Sequence, residues 1–324
     1  SPPHVSRGVP FKDFMVFLDD VLEDKTSWLG SSRKQVKQVD MYDANENFIL
    51  KYAAARDASY AELYTDYGPS DIFISHVWGE TISTTKRCMR KLCEVFEQNI
   101  DRASTRSRTS TALSSLDSAN GGCASGSSPQ GHPRTTMDPK MSGVSAGSHF
   151  ANGLRIWFCA TCNNQARIAE ELGSSINESP FAQVLRSPRC KKVALISPLK
   201  ALERKWCNFE FSLAVSEGKE PLMVFKEGVV QSGQVAPRML NDFSKKLLSF
   251  SCEVATCRNS HDEDLIDQAV NDNGGYGALD VRLKRIFRRA IEDAEAWTQQ
   301  AKASLGDRSD ENILEAASEN LHYD

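Results

Sequence analysis

Apolar positions along the chain follow two rhythms. Phe11, Phe14, Met15, Leu18, Val21 and Leu22 are spaced by three and four after Pro10, which predicts a helix with one apolar stripe. Farther on, short runs rich in β-branched and aromatic residues alternate with helical patterns. The expected strands are 71–75, 154–158, 193–197, 222–225 and 252–255. Helices are expected at 81–98, at 165–172 with 180–185, at 202–217 and 238–248, and then from Asp262 and from Leu279. Strand, helix, strand, helix is the order of right-handed crossovers. The pattern therefore predicts an α/β fold, a flavodoxin-like five-stranded parallel sheet with helices on both faces, in which the first strand lies between the second and third.

Around this domain, expected at 68–297, the pattern changes. Residues 1–67 read as an N-terminal helical extension. Between 101 and 148, Ser, Thr and Gly make up about half of the residues and no aromatic occurs. Such a segment cannot bury enough apolar surface to offset its ordering entropy, so it reads as a disordered insertion. Residues 298–324 form a polar C-terminal tail.

Charge and cysteine content narrow the function classes. Lys+Arg number 39 and Asp+Glu 43, a net charge of −4, so no global field draws the chain to nucleic acid or to an anionic membrane. No apolar run approaches the roughly 18 residues of a membrane span, so no membrane insertion is expected. Nine cysteines, an odd number scattered singly through apolar segments, fit reduced thiols and a cytoplasmic setting.

In open parallel sheets, ligands bind at the carboxyl ends of the strands, beside the point where strand order reverses. Three unusual clusters fall on that edge. Ser75-His76-Val77-Trp78-Gly79-Glu80 follows the first strand, Cys159 to Gln165 with Asn163 and Asn164 follows the second, and Ser197-Pro198 leads to Trp206-Cys207-Asn208-Phe209-Glu210 after the third. On that last helix Glu210 sits four residues after Trp206, at the margin of an apolar face. A carboxylate partly desolvated beside a Trp suits a catalytic acid or a group that binds sugar hydroxyls, although a solvated Glu at the edge of the stripe fits the pattern as well.

These same residues resemble a known family. Asp71-Ile72-Phe73-Ile74-Ser75-His76 and Ser197-Pro198, followed by Lys205-Trp206-Cys207-Asn208-Phe209-Glu210-Phe211, are similar to the first and third signature segments of TIR (Toll/interleukin-1 receptor) domains. The Ser-His-x-Trp-Gly-Glu, Asn-Asn-Gln and Trp-Cys-x-Phe-Glu elements resemble more closely the TIR-like proteins of algae and other protists. The resemblance spans about residues 68 to 255 outside the Ser-rich stretch. It implies a NAD glycohydrolase, with NAD as substrate and no cofactor, with Glu210 catalytic and with Ser75, His76, Trp78, Asn163, Asn164 and Trp206 bordering the nucleotide. It equally allows a non-catalytic scaffold that signals by contacts. The second signature segment, which mediates assembly in typical TIR domains, is replaced here by 159–165, so assembly through that loop is not implied, while the resemblance still allows a homo-oligomer through the α/β domain.

Other motifs carry less. Gly143-Val144-Ser145-Ala146-Gly147 matches a nucleophile elbow but lacks the flanking strand and helix. Cys159 and Cys162 are spaced like half a zinc site, yet Cys252, Cys257 and His261 make no clear second half, so no metal is expected. No Walker A loop and no Gly-x-Gly-x-x-Gly occurs. The basic residues Arg282, Lys284, Arg285, Arg288 and Arg289 read as the solvated face of an amphipathic helix.

Overall fold

The computed structural model describes residues 3–28, 38–114 and 153–305. Its centre is a six-stranded mixed sheet in the order β1-β3-β2-β4-β5-β6. The strands are β1 (Val9–Pro10), β2 (Ile72–Ser75), β3 (Arg155–Phe158), β4 (Lys192–Ile196), β5 (Glu220–Phe225) and β6 (Gly228–Val229). The middle four run parallel, and β1 and β6 close the two edges antiparallel. As expected, β2 lies between β3 and β4, so strand order reverses beside it. Four of the five expected strands are present, but the sheet is mixed rather than purely parallel.

The strand expected at 252–255 does not form. Cys252 and Ala255 are buried while Val254 is 77% exposed, a spacing of three that belongs to a turn rather than to a half-buried strand. The Ala255 N–H closes that turn on the Cys252 carbonyl at 3.2 Å, and the Cys252 N–H donates to Asp280 Oδ1 at 2.7 Å. The chain thus satisfies its backbone without the sheet.

Helices cover both faces. Trp157 and Phe158 are consecutive on β3 and so point to opposite sides of the sheet. Trp157 meets Phe181 of helix Pro180–Arg186 edge-on at 6.0 Å, while Phe158 packs on Phe14 of helix Phe11–Trp28 at 4.5 Å. Helix Lys205–Ser216, called αC below for its place at the cavity, lies against β4 and β5. Helices Pro237–Leu248, Ser260–Asp272 and Gly275–Leu305 follow it in sequence.

The helix expected at 81–98 runs much longer, from Ile82 to Ser114. No Gly or Pro occurs between Ile100 and Ser114, and the Arg and Ala among the Ser and Thr residues favour helix, so the start of the expected insertion continues the helix instead. Residues 115–148 of that insertion, the Gly143 to Gly147 motif and 306–324 of the tail lie outside the described residues.

Of residues 1–67, expected as an extension, the described stretches 3–28 and 38–67 supply part of the central core. Val9 pairs with Ile156, and Phe14, Phe17, Leu18, Val21, Phe48, Ile49 and Ala61 join the same buried cluster as the sheet. Asp40 caps the helical segment that starts at Met41, and its side chain accepts the Asp43 N–H. The Met41 N–H then donates to the Trp78 carbonyl at 2.9 Å. This tie brings Tyr42 and Asn45 beside the loop that follows β2.

Candidate functional site

A cavity of ≈ 610 Å³ opens at the carboxyl ends of β2, β3 and β4, where strand order reverses. His76, Trp78, Asn163, Trp206 and Glu210 all line it. The three clusters expected to converge from separate strand ends do so.

Glu210 stands on the buried side of αC, 8% exposed. Its Oε2 accepts a hydrogen bond from Ser75 Oγ at 2.6 Å. Burial pushes its carboxyl up to about 8, and the Ser75 bond opposes that shift only in part. At neutral pH this group is therefore mostly the neutral acid. Ser75, expected to border the ligand, is fully buried behind Glu210 and is not among the cavity-lining residues, so it holds the carboxyl rather than forming the wall.

His76 lies flat against Phe158, with ring centroids 3.7 Å apart. Burial lowers its imidazole to about 3, so it stays neutral at any ordinary pH and is too weak a base to take a proton from a substrate. Trp78 is fixed from two sides: its indole N–H donates to Cys159 Sγ at 3.1 Å, and the Tyr42 ring lies at 5.2 Å. Trp206 donates its indole N–H to Asp262 Oδ2 at 3.1 Å and meets Phe181 edge-on at 4.7 Å. Both indoles thus keep their polar ends bonded and leave ring surface for the cavity.

The Asn-Asn-Gln element divides into different roles. Asn164 is structural: its Nδ2 donates to Asp57 Oδ1 at 3.0 Å and its Oδ1 accepts the Ala166 N–H, so it too is not among the lining residues. Gln165 donates to the Cys159 carbonyl at 2.8 Å. Asn163, 1% exposed, has no partner at either amide atom among the described residues.

Several lining residues had no distinctive signal in the sequence. Tyr42 and Asn45 come from the N-terminal segment, and Arg204, Arg258 and Asp262 from the stretches flanking αC and opening helix Ser260–Asp272. Arg258 lies over the Tyr42 ring at 4.0 Å, and Arg204 donates to Thr256 Oγ1 at 2.9 Å. Among the described residues neither guanidinium is paired with a carboxylate. The adjacency of Arg204 to Trp206 was the one clue to these positions.

The thiols are not reactive groups. Burial raises Cys159 well above its ordinary value and raises Cys207 as well, and nearby Glu210 adds to both shifts. Among the described residues no cluster of three or more His, Cys, Asp or Glu is placed to hold a metal ion, and no helix is long and apolar enough to cross a membrane. Comparisons with family models, with curated proteins and with solved structures found no match. What the geometry defines is an α/β domain with a large cavity at its switch point, walled by aromatic rings and lined by the buried carboxyl of Glu210.

Proposed function

We propose that the chain is a TIR-like, flavodoxin-fold enzyme that cleaves NAD between nicotinamide and ribose. The observation that carries this reading is the position of Glu210, a buried carboxyl on the wall of a switch-point cavity, held by a single hydrogen bond from Ser75. In the reaction the bond from ribose C1′ to the pyridinium nitrogen breaks, and its electron pair goes to nitrogen. Nicotinamide leaves neutral and needs no proton. Water adds to the ribosyl cation, loses a proton, and ADP-ribose results. Glu210, as the carboxylate, stabilises the positive charge as it moves from the ring to C1′. The raised pKa of the Glu210 carboxyl is no obstacle, because an arriving cationic ring favours the ionised form. Trp78 and Trp206 offer flat surfaces for the rings. Arg204 and Arg258 offer guanidinium groups for phosphates.

The Ser75 bond also favours a second reading, an interaction module in which Glu210 is a structural acid that donates or accepts within the core. One experiment separates the two. Purified protein incubated with NAD should release nicotinamide and ADP-ribose, and Glu210→Gln should abolish release while the protein stays folded. Protein that releases no nicotinamide at high concentration supports the module, and Glu210→Gln that retains substantial turnover refutes the role given to Glu210.

A further inference from the structure

Two residues that line the cavity carry buried polar atoms without a partner among the described residues: Nδ2 and Oδ1 of Asn163 and Oδ1 of Asn45. The two residues come from distant parts of the chain, yet the turn Asn45–Ile49 packs against the helical turn Cys159–Cys162 that delivers Asn163. Their setting is not generally unsatisfied, because the neighbouring Asn164 and Gln165 amides are bonded. Buried amides are almost always paired, and leaving one unpaired costs the desolvation of both its ends. Asn163 lines the cavity, from which a ligand could supply the missing partner.

A carboxamide side chain presents one donor and one acceptor, side by side in a plane. Its complement is a flat group that offers an acceptor and a donor in the same way. Primary carboxamides have this edge, and so do aminopurines through the exocyclic amine and the adjacent ring nitrogen. The aromatic residues Tyr42, Trp78 and Trp206 line the same cavity and suit the faces of such a ring.

We propose that Asn163, assisted by Asn45, is the specificity-determining group of the cavity and reads the donor–acceptor edge of a planar nitrogen heterocycle. This names the ligand edge for the nucleotide reading above and rests on it for the ligand's class. It assigns recognition to an amide and leaves the chemistry to Glu210. It also makes the N-terminal segment part of the binding site.

The test is direct binding of small probes to the full chain by calorimetry, with no turnover needed. Nicotinamide is compared with 3-acetylpyridine, in which a methyl group replaces the amide nitrogen, and adenosine with purine riboside, which lacks the amine. A preference of about tenfold or more for the first of either pair, lost in Asn163→Leu, supports the proposal, and the pair that shows it identifies the ring bound. Because Asn163→Leu removes an unpaired amide, it should also raise the thermal midpoint of the empty protein. An asparagine with a structural role would lower it. Should Asn163→Leu fail to fold, the smaller Asn163→Ala also removes the acceptor that the amine of the probe would meet, and the same loss of preference is expected. Equal binding of both members of each pair, a preference that survives the substitutions, or no binding of any probe overturns the proposal. None of those results decides the glycohydrolase reading, which the NAD assay with Glu210→Gln tests separately.

Discussion

Ser75 and Glu210 lie 135 residues apart in sequence and are joined by a 2.6 Å hydrogen bond between β2 and αC. The bond links the end of one central strand to a helix that packs over its neighbours, and it places a carboxyl where an apolar side chain would otherwise fill the core. Because Ser75 is fully buried and Glu210 nearly so, the pair is exchanged for water at a cost that depends on the proton Glu210 carries.

That dependence has a definite sign. The folded carboxyl is raised from 4.5 to about 8, so the native state holds its proton more tightly than the unfolded chain. The group's contribution is fully present below about pH 4.5 and is lost as pH rises through 8, by an amount of the order of a few kcal/mol. Glu210→Gln carries no such proton. The thermal midpoint of the variant relative to the natural protein should rise between pH 5 and 8 and level off above. A difference that is constant with pH would show that the carboxyl is not desolvated.

His76 titrates in the opposite sense. Burial against Phe158 depresses it from 6.5 to about 3, so its contribution is present above pH 6.5 and is lost as pH falls toward 3. Its imidazole proton resonances should not shift between pH 8 and 5. A midpoint near 6.5 would place the ring in water and remove it from the cavity wall.

The N-terminal segment should behave as core. Phe17 is fully buried and touches Phe14, Phe48 and Tyr60, with ring centroids at 5.8, 5.9 and 4.9 Å. Phe17→Ala should cost about 3 to 5 kcal/mol by chemical denaturation. Removal of residues 1–67 should leave a chain without a cooperative transition. Cooperative folding of residues 68–324 alone would show that the segment is an appendage after all.

Periodicity is enough to find β2, β3, β4 and β5, because a parallel strand buried on both faces reads as a continuous apolar run. It is not enough at 252–255, where a short run containing Cys, Val and Ala has the composition of a strand but the burial spacing of a turn. The switch-point rule likewise brought His76, Trp78, Asn163, Trp206 and Glu210 to one cavity, since loops at strand ends inherit their place from the sheet. It could not separate Asn163 from Asn164, because which amide is bonded depends on Asp57, contributed by a segment more than a hundred residues away. Tyr42 and Asn45 were invisible for the same reason. Their contact with the cavity depends on the Met41 bond to Trp78, a backbone tie with no side-chain signature.

The central claim is that Glu210, as a carboxylate, supports departure of nicotinamide. The most direct measurement is the pH dependence of kcat/KM for nicotinamide release from NAD, which reports the ionisation of the free protein. With the carboxyl at about 8, kcat/KM should rise about tenfold per pH unit below that value and level off above it. Glu210→Gln should show no release at any pH. A kcat/KM that is flat or falls as pH rises through 8, or release that survives in Glu210→Gln, would contradict the account.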